Sequence, residues 1–263
     1  MPTDLLAADE PPPFELINAA GRAPVMLCCD HARRLIPRKL SQLGLHGDDL
    51  TRHIAWDIGA ADVARHMSNV LDAPAVLCGY SRLVVDCNRL VQDPTLMPGR
   101  SDGTIVPGNA VLTEAERNAR LAAIYVPYHQ ALEDLSEQMR RRHGVVAMLS
   151  IHSCTDRMNG EYRPWEICIC WERDDRISAP VMAALRARGS VVVGDNQPYG
   201  LVIGEDCSVP IHAMRRGWPH LLVEFRQDLI GTAETARKWA DILIDAVRPV
   251  LADASLYRTQ FFD

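Results

Sequence analysis

Four stretches of the 263-residue sequence set chemically capable side chains inside apolar runs or at their ends. PVMLCC (24–29) runs into Asp30 and His31, and VVAMLSI (145–151) into His152 and Ser153. LLVEFR (221–226) places Glu224 within an apolar run and is followed by Asp228. LVVDCNR (83–89) carries Asp86, Asn88 and Arg89, with Arg82 just ahead of it. Short, fully apolar runs read as strands of a sheet covered on both faces, and in open α/β sheets working groups gather beyond the carboxyl ends of such strands. Two histidines on separate strand ends plus a carboxylate match the donor set of a catalytic zinc: three N/O ligands and a fourth position for water. A neighbouring carboxylate can take the proton of that water. Glu224 has the character of such a base, because burial in an apolar run raises a carboxyl's proton affinity. The same chemistry allows Glu224 to pair with a buried arginine and only hold the sheet together.

The elements that must position these groups follow from periodicity. Apolar runs at 24–29, 75–78, 83–87, 145–151, 166–171, 190–193 and 221–225 predict strands, and amphipathic stretches at 51–71, 113–142, 179–188 and 232–251 predict helices. The second helix opens with a capping box, Thr113 with Glu116 three residues on, and stops before Gly144. Pro127 inside it lacks an amide donor and should kink or divide it. Strands alternating with helices predict a three-layer α/β/α fold with a mostly parallel mixed sheet. Residues 1–13, with three consecutive prolines, are expected to form an extended tail, and 14–263 a single domain.

Composition narrows the function classes. With 28 Lys+Arg against 34 Asp+Glu the formal charge is −6, which argues against a general nucleic-acid binder. No apolar stretch approaches the length of a membrane span and the N-terminal residues lack a basic signal-peptide region, so a cytoplasmic protein without membrane partners is expected. The eight cysteines form no CxxC pair and lie mostly in apolar runs, where they read as small buried hydrophobes in a reducing compartment. Cys154, two residues after His152, is the exception as a conceivable nucleophile, but the sequence offers it no partner set. His46, His66, His129, His143 and His220 read as structural or exposed.

The segments VMLCCDHARRLIP, RHIAWDIGA, YSRLVVDCNR, SIHS, GDNQPYG and IHAMRRGWPHLLVEFRQDLIG, in that order over about residues 25–231, resemble the N-formylglutamate amidohydrolase family. That family is a branch of the zinc-carboxypeptidase-like superfamily, with its phosphorylase/hydrolase-like fold. The resemblance implies one Zn2+ per chain, with His31 and His152 as ligands and Glu224 as general base. Carboxypeptidases take an acidic ligand three residues after the first histidine, but position 34 is Arg here. The resemblance points instead to Asp57, expected on the first turn of the following helix, with His53 as the other candidate on the same helix face. Asp86 is expected to orient a histidine or an arginine.

The implied substrate is a small N-acyl amino acid bearing a carboxylate, a group that arginine binds with two parallel hydrogen bonds. Arg82, Asn88 and Arg89 match positions where the superfamily holds the substrate carboxylate and carbonyl. Asn196 and Tyr199 are expected to line the pocket, and His212 and Arg215 to contact substrate or the developing oxyanion. The expected activity is hydrolysis of the non-peptide amide of an N-formyl or N-acyl amino acid such as N-formylglutamate. The alternatives are a zinc carboxypeptidase acting on short peptides and a non-catalytic binding protein for acidic metabolites.

Overall fold

A computed structural model describes residues 5–158 and 160–262. Its strands are β1 (Phe14–Ile17), β2 (Val25–Cys29), β3 (Ala75–Cys78), the ribbon β4 (Arg100–Ser101) with β5 (Thr104–Ile105), β6 (Ala147–Cys154), the ribbon β7 (Arg157–Met158) with β8 (Glu161–Tyr162), β9 (Ile167–Cys170), β10 (Val193–Asp195) and β11 (His220–Arg226). The helices are α1 (Ala60–Leu71), α2 (Glu114–Arg120), α3 (Val126–His143), α4 (Ser178–Ala187), α5 (Ser208–His212) and α6 (Ala233–Leu251). Seven strands form one mixed sheet in the order β1-β3-β2-β6-β11-β9-β10. The four consecutive strands β3, β2, β6 and β11 are parallel, while β1 and β9 join antiparallel.

Strand alternation sorts the core into two layers. Odd-numbered residues of β2, β6 and β11, such as Leu27, Leu149 and Val223, pack with α1, α4 and α6, which bury stripes such as Ala236, Ala240, Leu243 and Val247. Even-numbered residues Met26, Cys28, Met148 and Leu222 face the other layer, where α3 contributes Tyr128, Leu132, Leu135 and Met139. The result is the expected three-layer α/β/α architecture. The proline-rich stretch before β1 runs against the sheet: Gly79 N donates to Pro13 O and the Tyr80 hydroxyl to Pro11 O.

Three local expectations need correction. Residues 83–87 form turns rather than a strand, although Leu83, Val84, Val85 and Cys87 are buried. Side chains satisfy this backbone in place of a ladder, Asn109 Nδ2 donating to Leu83 O and Arg120 Nη1 to Val84 O. Burial alone made the run apolar. The helix expected from residue 51 begins only at Ala60, because Gly59 takes φ 80° and a Cβ there would meet Ile230 O at 2.1 Å. The last corrected segment, expected as a strand at 190–193, pairs instead at Val193–Asp195. The helix from Thr113 keeps its capping box but is divided, as Pro127 requires, by a π-helical turn over Leu121–Tyr125 in which Val126 N reaches back to Leu121 O.

Candidate functional site

Cys28 of β2 lies beside Ser150 of β6, so the two strands deliver His31 and His152 to one place just beyond their paired stretch. The imidazole centroids are 5.1 Å apart, and both Nδ1 atoms face one oxygen, Asp57 Oδ2, at 3.3 Å from His31 and 2.9 Å from His152. Asp57 stands three residues ahead of α1, its amide donating to His31 O. His31, Asp57 and His152 are buried, and their ligand atoms lie within 4.8 Å of one another.

The outer face of each ring meets a further carboxylate. His31 Nε2 is 2.7 Å from Asp86 Oδ1, and His152 Nε2 is 3.0 Å from Asp30 Oδ2. A carboxylate at Nε2 favours the tautomer protonated there and leaves the Nδ1 lone pair free for an ion. Asp30 is fixed in turn by the hydroxyls of Tyr128, at 2.7 Å, and Ser208. Asp86 accepts from Arg82 Nε and Nη2 at 3.1 and 2.8 Å. With neutral imidazoles, the carboxylates of Asp30, Asp57 and Asp86 against the Arg82 guanidinium leave two negative charges, which a divalent cation balances. Without an ion, protons take its place. Burial opposes charge on His152, but Asp30 and Asp57 outweigh it and hold the ring well above the ordinary range. The donor set therefore fits a divalent metal ion.

Glu224 is the in-register neighbour of His152 across the β6–β11 pair. Its Oε1 accepts from the Tyr199 hydroxyl at 2.9 Å, while Oε2 is buried and has no partner among the described residues. Burial is the main force that pushes this carboxyl up to about 7, with the charge of Asp57 adding to it and His152 opposing. The carboxyl can thus take and return a proton near neutral pH.

The remaining predicted residues divide. Arg82, Asn88, Arg89 and Tyr199 line a cavity of about 240 Å³ together with His31, His152 and Glu224. Asn88 is internally engaged there, its Nδ2 donating to Asp206 and its Oδ1 accepting from Cys207 N and Ser208 N. Asn196 has φ 51°, and its Oδ1 accepts from Trp171 N, which makes it part of a turn. His212 stacks on His129, and Arg215 lines a separate cavity beside Trp218. His53 does not join the His–Asp–His group. Its Nε2 lies 3.4 Å from Asp102 Oδ2, in the wall of an adjoining cavity of about 420 Å³. Cys154 is a poor nucleophile, because a hydrogen bond with Cys168 and burial keep its thiol protonated. Sequence reasoning gave no role to Asp30 or Asp206. Asp30 had one signal, its place before His31 at a strand end; Asp206 had none, since it meets Asn88 only through the fold.

Fold and site together define a three-layer α/β protein with a buried His–Asp–His group suited to a metal ion and a proton-accepting glutamate beside it. The family model for N-formylglutamate amidohydrolase matches residues 23–231. The chain belongs to the N-formylglutamate amidohydrolase family and is a hydrolase. It is similar to a gene product of Agrobacterium tumefaciens of known crystal structure, at 36% identity and a TM-score of 0.90, over 94% of this chain and 98% of that one. It shares its fold with the N-formylglutamate amidohydrolase of Ralstonia eutropha JMP134, at 21% identity and a TM-score of 0.60, over 90% and 97% of the two chains. Comparison with the curated proteins gave no match. Among the described residues no helix is long and apolar enough to cross a membrane.

Proposed function

We propose that the protein hydrolyses the amide C–N bond of N-formylglutamate or a closely related N-acyl amino acid, with one zinc ion held by His31, Asp57 and His152. The observation that carries this reading is the in-register pair: a glutamate with a raised proton affinity on the strand next to a buried ligand histidine. A bound divalent ion supplies Lewis-acid polarisation and acidifies water at the site. Glu224 acts as general base through Oε2, its unpartnered oxygen, while the Tyr199 hydroxyl fixes Oε1. Because the carboxyl titrates near neutrality, it can return the proton to the departing amine. Among the described residues Arg89 directs only Nη1 to a protein group, the Asn88 carbonyl and Asp206, so its other donors serve the α-carboxylate of the substrate. Arg82, braced on Asp86, keeps positive charge beside the scissile carbonyl. Eight free, buried cysteines suit a reducing, cytoplasmic setting.

Glu224→Gln tests the mechanism. The variant should retain metal by elemental analysis of protein purified without chelator, yet lose nearly all turnover of N-formylglutamate. Turnover close to that of the wild type would rule out this role for Glu224. Assaying a blocked dipeptide alongside separates amidohydrolase from peptidase activity.

A further inference from the structure

The two guanidinium groups nearest the metal-type group each pair with one of the protein's own acids. Arg82 gives Nε and Nη2 to Asp86, and Arg89 turns Nη1 to Asp206. The adjoining cavity of about 420 Å³, which reaches Asp57 and Ser153, also exposes two cations that are not committed in this way. The Arg163 guanidinium lies over the Tyr199 ring, 5.7 Å from its centroid, and among the described residues it pairs with no carboxylate. Arg100 donates to the Gly103 carbonyl. The acids of the same cavity cannot neutralise them. Asp57 faces His31 and His152, Asp86 is held by His31 and Arg82, and Asp102 accepts from Arg52 at 2.7 Å.

A guanidinium without a counter-ion inside a cavity is a site for an anion, and its planar fork suits a carboxylate. Tyr199 connects that site to the chemistry, because its ring carries Arg163 and its hydroxyl holds Glu224. In an N-acyl glutamate the scissile carbonyl carbon and the side-chain carboxyl carbon are five bonds apart, roughly 6 Å when extended. The two cavities share Arg82, Arg89, Ser153 and Tyr199 in their walls, so a molecule of that length can extend from the one that holds Glu224 into the one that holds Arg163.

We propose that Arg163, with Arg100 lining the same cavity, forms a second anion subsite that takes the distal carboxylate of a dicarboxylic N-acyl amino acid and sets the enzyme's selectivity. The assignment rests on the proposed function above for its substrate, though not for its binding site.

The test compares N-formyl-L-glutamate with its near-isostere N-formyl-L-glutamine. In Arg163→Gln the KM ratio favouring the acid should fall at least tenfold, and Arg163→Lys should recover part of it. Calorimetric titration with glutarate and with butyrate provides a readout independent of turnover. The wild type should bind the dicarboxylate at least tenfold more tightly, and Arg163→Gln should abolish that preference. An unchanged KM ratio, or a glutarate preference that survives Arg163→Gln, overturns the subsite. If the wild type hydrolyses neither amide while the glutarate preference still depends on Arg163, the proposed substrate fails and the subsite stands.

Discussion

Replacing Glu224 by Gln in chelator-treated protein should change how stability depends on pH, by an amount that follows from the burial of one carboxyl. Glu224 is 6% exposed and titrates near 7 in the fold, against an ordinary value of 4.5. The folded state therefore binds this proton more tightly than the unfolded chain does. The stabilisation is complete below about pH 4.5 and is lost as pH rises through 7, because a buried carboxylate must then be carried without hydration. Between those limits the wild type loses roughly 3 kcal/mol through this one group. Glutamine cannot titrate. Its amide nitrogen, standing in for the unpartnered Oε2, adds a cost of about 1–3 kcal/mol that does not vary with pH. Urea denaturation of both proteins in chelator between pH 4.5 and 8.5 separates the two effects, since only the slope of their difference matters. The variant should gain on the wild type by roughly 3 kcal/mol across the range. Restoring a divalent ion should shrink that gain, because positive charge nearby favours the carboxylate. Parallel stability curves for the two proteins would refute the buried, proton-holding state of Glu224.

Asp30→Asn and Asp86→Asn should each weaken metal affinity about 10- to 100-fold, measured by competition with a chromophoric chelator, while the circular dichroism stays that of the wild type. Undiminished affinity would leave these carboxylates no part in orienting His152 and His31. Tyr199→Phe removes a hydrogen bond that favours the ionised form of Glu224, so the acidic limb of the kcat/KM–pH profile should move to higher pH. An acidic limb that stays in place would mean that a different group titrates there. Arg120→Met should lower stability by about 3 kcal/mol in urea, because it strips partners from Val84 O, Gly108 O and Asn109 Oδ1 in a buried setting. A loss below about 1 kcal/mol would show that water replaces the guanidinium.

The parts of this molecule that were legible in its sequence are those in which local pattern and long-range role coincide. Apolar runs ending in His31 and His152 announced both strands and their load, because a polar group at the carboxyl end of a buried strand has few structural uses. Glu224 stood out for a different reason, as a carboxyl set inside an apolar run. The segment at 83–87 misled because burial writes the same apolar signature whether the backbone is satisfied by a ladder or by side chains, and the arginine that satisfies it lies 36 residues away at Arg120. Asp57 could be reached only by resemblance. It sits in a turn ended by Gly59, and nothing in AWDIGA distinguishes a ligand from a helix-capping acid. Asp206 and Arg163 meet Asn88 and Tyr199 only through the fold, to which spacing gives no access.

The register pairing of His152 with Glu224 has a consequence for how this enzyme can change. Both residues sit on strands with a neighbour on each side, the fourth and fifth of seven. Glu224 is paired on both sides, with His152 and Cys168, so local opening cannot loosen it without parting the sheet, and its amide should exchange hydrogen only through global unfolding. The segments around Arg100, Arg163 and Asp206 lie outside those central strands and can be lengthened, shortened or recomposed at little cost to the core. In the proposed mechanism the proton transfer thus belongs to the central strands and the proposed selectivity to the loops around them. Natural variation can retune the substrate one loop at a time while leaving the proton transfer untouched.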